Sequence, residues 1–397
     1  LANLQQNTLY LCFEIKMVAT KILMRNMGLV AQKFTMRNLF AILFTGLSVF
    51  TFSQAPKYSN EFLHLGVGAD AFSMGNAVVA STNDVGAAYW NPAGLTSVNQ
   101  WLQVTAMHSE YFAGIAKYDH IGVAHSLGEK GVIGFTFLRF GVDDIPNTTQ
   151  LIDNDGRIDY DKITTFSAGD YAFMGSFAKK LKPVGLSVGG TAKIIHRRVG
   201  DFAKSWGFGL DAGVKYAPNE HWNFGLMARD VTSTFNAWIF NLSPEMQQVF
   251  LTTGNDLPAN GLELSLPRFI GGIAYNHALG KAEKGFSFMT EMDFDFTTDG
   301  KRNVAISLNP ISIDPHLGVQ FGYKDIVRLR GGVSSIQRSS NIDGVSQWGF
   351  QPNMGIGIGI KGFYLDYAFT KLGASDASYY THIFSLKFKI KQPKKKA

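Results

Sequence analysis

From Leu102 to Ile390 the chain returns again and again to a two-residue alternation. In WGFGLDAGVKY, Trp206, Phe208, Leu210, Ala212, Val214 and Tyr216 share one face, opposite Gly207, Gly209, Asp211, Gly213 and Lys215. FSFMTEMDFDF sets Phe286, Phe288, Met292, Phe294 and Phe296 against Ser287, Glu291, Asp293 and Asp295. HIFSLKFKI closes the series with Phe384, Leu386, Phe388 and Ile390 against Ser385, Lys387 and Lys389. Alternation kept up over about ten residues marks strands with one apolar face. Strands of about 9–11 residues with aromatics near their ends are the length and pattern that cross a membrane as a barrel wall. A soluble β-sandwich would use shorter strands, and its polar faces would carry Lys, Glu and Thr in place of Gly.

Fourteen such segments are expected, near 102–112, 117–126, 131–140, 169–179, 185–195, 206–216, 222–230, 267–277, 286–296, 316–323, 326–334, 354–360, 363–371 and 381–390. The connections after even-numbered segments are short, whereas those after odd-numbered ones include 141–168, 231–266, 297–315 and 335–353. Short turns on one rim and long loops on the other are the asymmetry of outer-membrane barrels. The fold class is therefore all-β: a 14-stranded antiparallel transmembrane β-barrel over residues 102–390, both ends on the short-turn side. Residues 55–101 lack the alternation, and the Gly-rich inner faces leave room for them as a plug at the short-turn mouth.

One apolar run stands outside this pattern, LFAILFTGLSVFTF from Leu39 to Phe52. Arg37 precedes it and the small Ser53 follows, which is the layout of a secretory signal peptide over 36–53. Residues 1–35 have no clear periodicity and read as an upstream extension, which holds the chain's only Cys, Cys12. An exported chain from Gln54 onward has no thiol for a disulfide, a metal site or a nucleophile. The formal charge of +6 is misleading, because five basic residues against Glu14 precede Gln54, and six Lys crowd Lys387–Ala397. No basic face for nucleic acid remains, and the tail 391–397 reads as a solvated end or a contact for anionic outer-membrane lipid.

Candidate chemistry is sparse. GLSVGG places Ser187 in a G-x-S-x-G spacing, but a nucleophile elbow needs a strand-to-helix turn and Ser187 falls mid-strand. The nine His form no metal-ligand spacing, and no cofactor is expected. DNDGRIDYD, Asp153–Asp161, resembles the start of a calcium loop without the closing Glu. Inside the barrel, Lys193, Asp211, Lys215, Arg229, Glu291, Asp293, Asp295 and Asp366 are expected to face the lumen. Lys193 with Asp211, and Arg229 with the Glu291/Asp293 group, are candidates to hold the plug.

The plug carries a resemblance. FLHLGVGADAFSMGNAVVASTNDVGAAYWNPAGL, Phe62–Leu95, resembles the signature of the PorV/PorQ family among FadL-like outer-membrane proteins, through Met74, Gly75, Asp84, Trp90, Asn91, Pro92 and Gly94. Asp70 departs from the basic or small residue common there. The resemblance implies a barrel with an N-terminal hatch in the outer membrane. It further implies a part in type IX secretion, with the translocon barrel, the C-terminal domains of exported cargo or the attachment complex as partners. For the FadL branch it implies uptake of hydrophobic small molecules instead. Loop 231–266 adds a candidate partner surface, since Trp238, Ile239, Phe240, Met246, Val249 and Phe250 are expected to be exposed, partly on a short helix capped by Ser243.

Overall fold

The computed structural model describes residues 59–151, 156–182, 184–279, 285–340, 346–371 and 380–391, all within one compact unit, Ala55–Ala397. The expected extension, signal peptide and basic tail beyond Lys391 lie outside the described residues, as do Asp153 and Asp155 of the acidic loop.

Fourteen antiparallel strands close on themselves. They are β1 Leu102–Tyr111, β2 Ala116–Ser126, β3 Val132–Asn147, β4 Thr164–Lys180, β5 Leu186–Val199 and β6 Ala203–Tyr216. Strand β7 comes in two arms, Trp222–Arg229 and Thr234–Phe240, and so does β8, Gly261–Ser265 and Arg268–Leu279. Then follow β9 Phe286–Thr297, β10 Ser312–Tyr323, β11 Val327–Ser340, β12 Ser346–Ile360, β13 Phe363–Lys371 and β14 Tyr380–Ile390. Closure is made by β14 on β1, from Leu102↔Ile390 to Glu110↔His382. A closed wall leaves no unpaired edge in the bilayer, where an unpaired peptide group would cost several kcal/mol.

All fourteen expected segments are present, but several run further than the alternation suggested. Two segments expected as long loops are taken up in part by strand: within 141–168 β3 and β4 pair as far as Asn147↔Thr164, and most of the described part of 335–353 belongs to β11 and β12, which pair as far as Ser340↔Ser346. The reason is that the apolar outward residues stop where the bilayer stops, while the ladder continues into water. The outward faces carry aromatics towards both ends, such as Tyr171–His196–Trp206 at the long-loop rim and Trp222–Tyr275 at the other.

The segment before β1 lies within the lumen. It contains 3-10 turns at Glu61–His64 and Pro92–Ser97 and two short helices, α1 Ala69–Ser73 and α2 Ala87–Trp90. Asn91 is extended, as a residue before Pro must be, and its side chain accepts from the Ala93 amide at 3.2 Å. The segment is no small cap at one mouth: Thr96 bonds Ser187 near the short-turn end (3.0 Å), and Asn60 bonds Asn236 and Ser265 on the upper arms of β7 and β8, both at 2.9 Å.

Candidate functional site: the hatch seat and the interrupted wall

Two surfaces of this hatch meet two different parts of the wall. On one side Phe62, Leu63, Phe72, Met74, Tyr89 and Trp90 join inward side chains of β1–β5, Tyr111, Tyr118, Leu138, Met174 and Ile195, in one buried cluster. Each large apolar side chain so buried contributes about 1.5–3 kcal/mol. Small residues allow the approach elsewhere. Gly75 has φ 65°, and a Cβ there would stand 2.8 Å from the Val333 amide. Gly94 is equally confined, with a Cβ falling 2.5 Å from the Thr82 carbonyl.

On the other side Val79 packs on Met227 and Ile270, but most contacts are polar and aimed at backbone. The Asp293 carboxylate accepts from the Val78 and Val79 amides at 2.8 and 2.9 Å, and Glu291 accepts from Ala80 and Ser81 at 2.6 and 3.2 Å. Four consecutive peptide N–H groups therefore end on two wall carboxylates that are 0% and 1% exposed. Arg229 donates to the carbonyls of Leu63 (3.0 Å) and Tyr89 (3.3 Å), and its guanidinium lies 4.3 Å from the Tyr89 ring centroid. Lys215 donates to the Thr82 carbonyl at 2.9 Å. Lys387 on β14 pairs with Asp84 and, at 3.4 Å, with Asp70. At the upper end Arg302 reaches Glu61 at 3.1 Å. Burial would raise the Glu61 carboxyl, but its hydrogen bond to His64 and the nearby Arg302 and Arg268 charges hold it down at about 2. Asp70 lies below the ordinary carboxylate range likewise, because Lys387 and Arg330 outweigh its burial.

The hatch signature residues are all in the lumen. Trp90 Nε1 donates to the Val67 carbonyl (2.9 Å), Asn91 Nδ2 spans the Val79 and Val214 carbonyls (3.0 and 3.1 Å), and Pro92 opens the 3-10 turn. The five lumen residues expected to hold the plug, Lys193, Asp211, Arg229, Glu291 and Asp293, are all buried but divide by role. Glu291, Asp293 and Arg229 hold the hatch, yet Arg229 pairs with hatch carbonyls and not with the two carboxylates as expected. Lys193 pairs with Asp211 (2.8 Å) and Asp230 (2.5 Å), so it braces the wall. Ser187 is the second residue of β5, beside the short turn and not in mid-strand as expected; it bonds Thr96, and no helix follows it to make a nucleophile elbow. Lys387 went unrecognised as a hatch contact because it reads as one more Lys near the tail, although its place in the alternation puts it inward. Asn60 and Glu61 lie outside the alternation, and Asp230 fell at the end of an expected strand with nothing to mark it as a partner of Lys193.

Beside the hatch the lumen retains a cavity of about 210 Å³, lined by charge, Asp70, Asp84, Arg330, Asp366 and Lys387 among others. Apolar space lies elsewhere, at a break in the wall. The upper arm of β7 pairs with β6 from Ala203↔Phe240 to Phe208↔Phe235, and the lower arm from Ala212↔Ala228 to Tyr216↔Phe224. Gly209, Leu210 and Asp211 are left between, joined to β7 by one backbone bond, Val231 N to Leu210 O at 2.9 Å. The excess residues make an excursion, turned at Asp230 and Ser233 with φ 53° and 56°. Against it lies a depression of about 620 Å³ lined by Gly175, Gly190, Ala192, Leu210, Ala212 and Val231.

The expected partner surface is rearranged. Residues 234–240 are strand, so parity turns Trp238 inward, where its indole donates to Glu263 (2.7 Å) under Arg197 (5.0 Å to the ring). Phe240 stacks beside it, while Ile239 faces outward and is exposed. The helix is present as α3, Pro244–Thr252, with Ser243 accepting from the Met246 amide at 3.3 Å. Met246, Val249 and Phe250 are half-buried and not fully exposed.

A closed barrel of fourteen strands with its own N-terminal segment seated in the lumen defines a transmembrane β-barrel of FadL-like fold. Among solved structures it is similar to the CymD monoaromatic hydrocarbon channel, with TM-score 0.53 and 12% identity over 82% of this chain and 98% of that one. The Pseudomonas putida toluene transporter TodX aligns with TM-score 0.50 and 11% identity, over 81% and 97%. A Pseudomonas aeruginosa FadL homologue aligns more loosely, TM-score 0.47 and 11% identity over 81% and 98%. At these identities the likeness is one of fold. No family model and no curated protein matches the chain.

Proposed function

We propose that this barrel is an outer-membrane channel that admits small apolar molecules through its side wall. The observation that carries the reading is the interruption between β6 and β7 with its apolar depression on the lipid-facing surface. A molecule dissolved in the bilayer meets no aqueous barrier on reaching it, and apolar contact is the main recognition it needs. The charged cavity beside the hatch is unsuited to such a molecule, so onward passage requires the hatch to shift in its seat. The fold shared with hydrocarbon channels supports the same reading. The test is uptake of a labelled aromatic hydrocarbon or fatty acid by cells with and without the intact barrel. Equal uptake would sink the proposal.

A second reading, an adaptor of type IX secretion, is favoured by the hatch signature at Met74–Gly94 and by the apolar helix α3 at the mouth. Purification from native membranes in mild detergent separates the two. Recovery of a large translocon barrel, or of exported proteins sharing a C-terminal domain, supports the adaptor; recovery of the barrel with bound apolar small molecules supports the channel.

A further inference from the structure

The lipid-facing surface of β2–β6 changes character along one row of paired residues. On β3 the outward positions run Ile133, Phe135, Phe137 and then Arg139; on β5 they run Ala192, Ile194, His196 and then Arg198. Across the ladder at that level Asp119 pairs with Arg139, Arg139 with Tyr171, Tyr171 with His196, and His196 with Trp206. Tyr171, His196 and Trp206 stack in sequence at 6.2 and 4.3 Å between ring centroids. Rings with polar edges at the end of an apolar belt mark the membrane–water interface. This row is therefore the level at which acyl chains give way to headgroups.

One row further out the pairing reads Lys117, Gly141, Gly169, Arg198, Lys204. The two glycines stand directly opposite each other. Any Cβ on Gly169 would lie 2.9 Å from the Tyr171 hydroxyl, so the neighbouring side chains fold over the bare backbone. Around them opens a cleft of about 500 Å³. Arg139 is fixed in it by Asp119 (3.2 Å) and Asp143 (3.6 Å), and Arg198 by the Gly200 carbonyl (2.7 Å) and Asp201 (2.5 Å). A guanidinium has five N–H donors, so each keeps some for a ligand while its geometry is set in advance. Phe166 and Phe202, in edge-to-face contact at 5.0 Å, complete the lining with the hydroxyls of Thr164, Thr165 and Ser167.

In the cleft lining the guanidinium groups of Arg139 and Arg198 face the carboxylates of Asp143 and Asp201, with Asp119 behind Arg139, so the lining itself offers no excess positive charge to a bare phosphate. Fixed donors and acceptors beside hydroxyls and aromatic faces instead match the vicinal hydroxyls and C–H faces of a sugar. We propose that this cleft seats the saccharide headgroup of an outer-leaflet glycolipid, with the acyl chains running down the apolar belt below it. The proposal rests on the barrel's orientation in the bilayer and stands whether the protein is a channel or an adaptor.

The test uses the full chain in phosphatidylcholine nanodiscs, alone or with added lipopolysaccharide, and with phosphatidylglycerol as a sugar-free anionic lipid. Thermal unfolding and native mass spectrometry of retained lipid are the readouts. Lipopolysaccharide is expected to raise the wild-type midpoint and remain bound, with retention reduced about tenfold, or about 1.4 kcal/mol, in an Arg139→Gln/Arg198→Gln double variant. Gly169→Val, which fills the floor without touching charge, is expected to give the same loss, and heat-modifiable migration reports that either variant is folded. An equal gain from phosphatidylglycerol, no retention by wild type, or undiminished retention by folded variants would overturn the proposal.

Discussion

The hatch meets the two halves of its barrel by different physics. Against β1–β5 it buries rings and aliphatic chains, with Leu138, Ile195 and Tyr118 fully enclosed. Against β7–β14 it makes a smaller apolar contact, Val79 with Met227 and Ile270, and is held mainly by ionisable side chains that address its peptide groups, Asp293 and Glu291 on four amides and Arg229 on two carbonyls. The apolar side is non-directional and tolerates small shifts. The polar side is directional, and because these groups are buried each lost partner strands one of them. A plug that must stay seated yet be displaceable gains from this division: the polar side sets register, while the apolar side supplies adhesion at any register.

The largest expected effect comes from the polar side. Asp293→Ala leaves the Val78 and Val79 amides without acceptors and is expected to weaken hatch seating by about 4 kcal/mol. Hydrogen exchange at residues 78–81 reads this directly, and unchanged protection there would refute the assignment. Leu138→Ala opens a cavity on the apolar side, with an expected cost of about 3 kcal/mol. It should lower the thermal midpoint while leaving exchange at 78–81 nearly as slow as before, so acceleration there would break the comparison.

Filling the wall depression by Gly190→Leu should cut uptake of an apolar substrate several-fold with little change in stability, because a Cβ at Gly190 meets only the Asp211 carbonyl, at 3.6 Å. Unaltered uptake with a folded barrel would detach the depression from transport. The smallest effect is that of acid. Glu61 titrates at about 2 in the folded chain against an ordinary 4.5, so its contribution is complete above about pH 4.5 and lost as pH falls towards 2. Asp70, depressed by Lys387 and Arg330, acts in the same direction. Release of residues 59–70 to protease in that window, and not between pH 5 and 8, is the expected observation.

The alternation was enough to place every strand, because lipid outside and a packed lumen inside impose a period of two on each. It failed where water replaces lipid. Beyond Phe137 on β3 and before Tyr171 on β4 the outward residues become polar or glycine, so the ladder continues without its sequence signal. The interruption in β7 was equally silent: Val231–Ser233 read as the start of a loop, whereas the ladder resumes at Thr234. Glu291, Asp293 and Arg229 could be named as lumen residues from parity alone. Their partners could not, because those partners are backbone groups of the hatch, which carry no residue identity.

Lys387 ties these observations to the order in which the molecule can be made. It sits on the last strand and grips Asp70 and Asp84, in the part of the chain that precedes every strand. The same strand supplies the ladder that joins β14 to β1. Closing the seam between β14 and β1 therefore also brings Lys387 onto the hatch, so one pairing completes the wall and fastens the segment that precedes it. A chain ending before Tyr380 should leave residues 69–84 open to protease, whatever the rest of its wall has achieved.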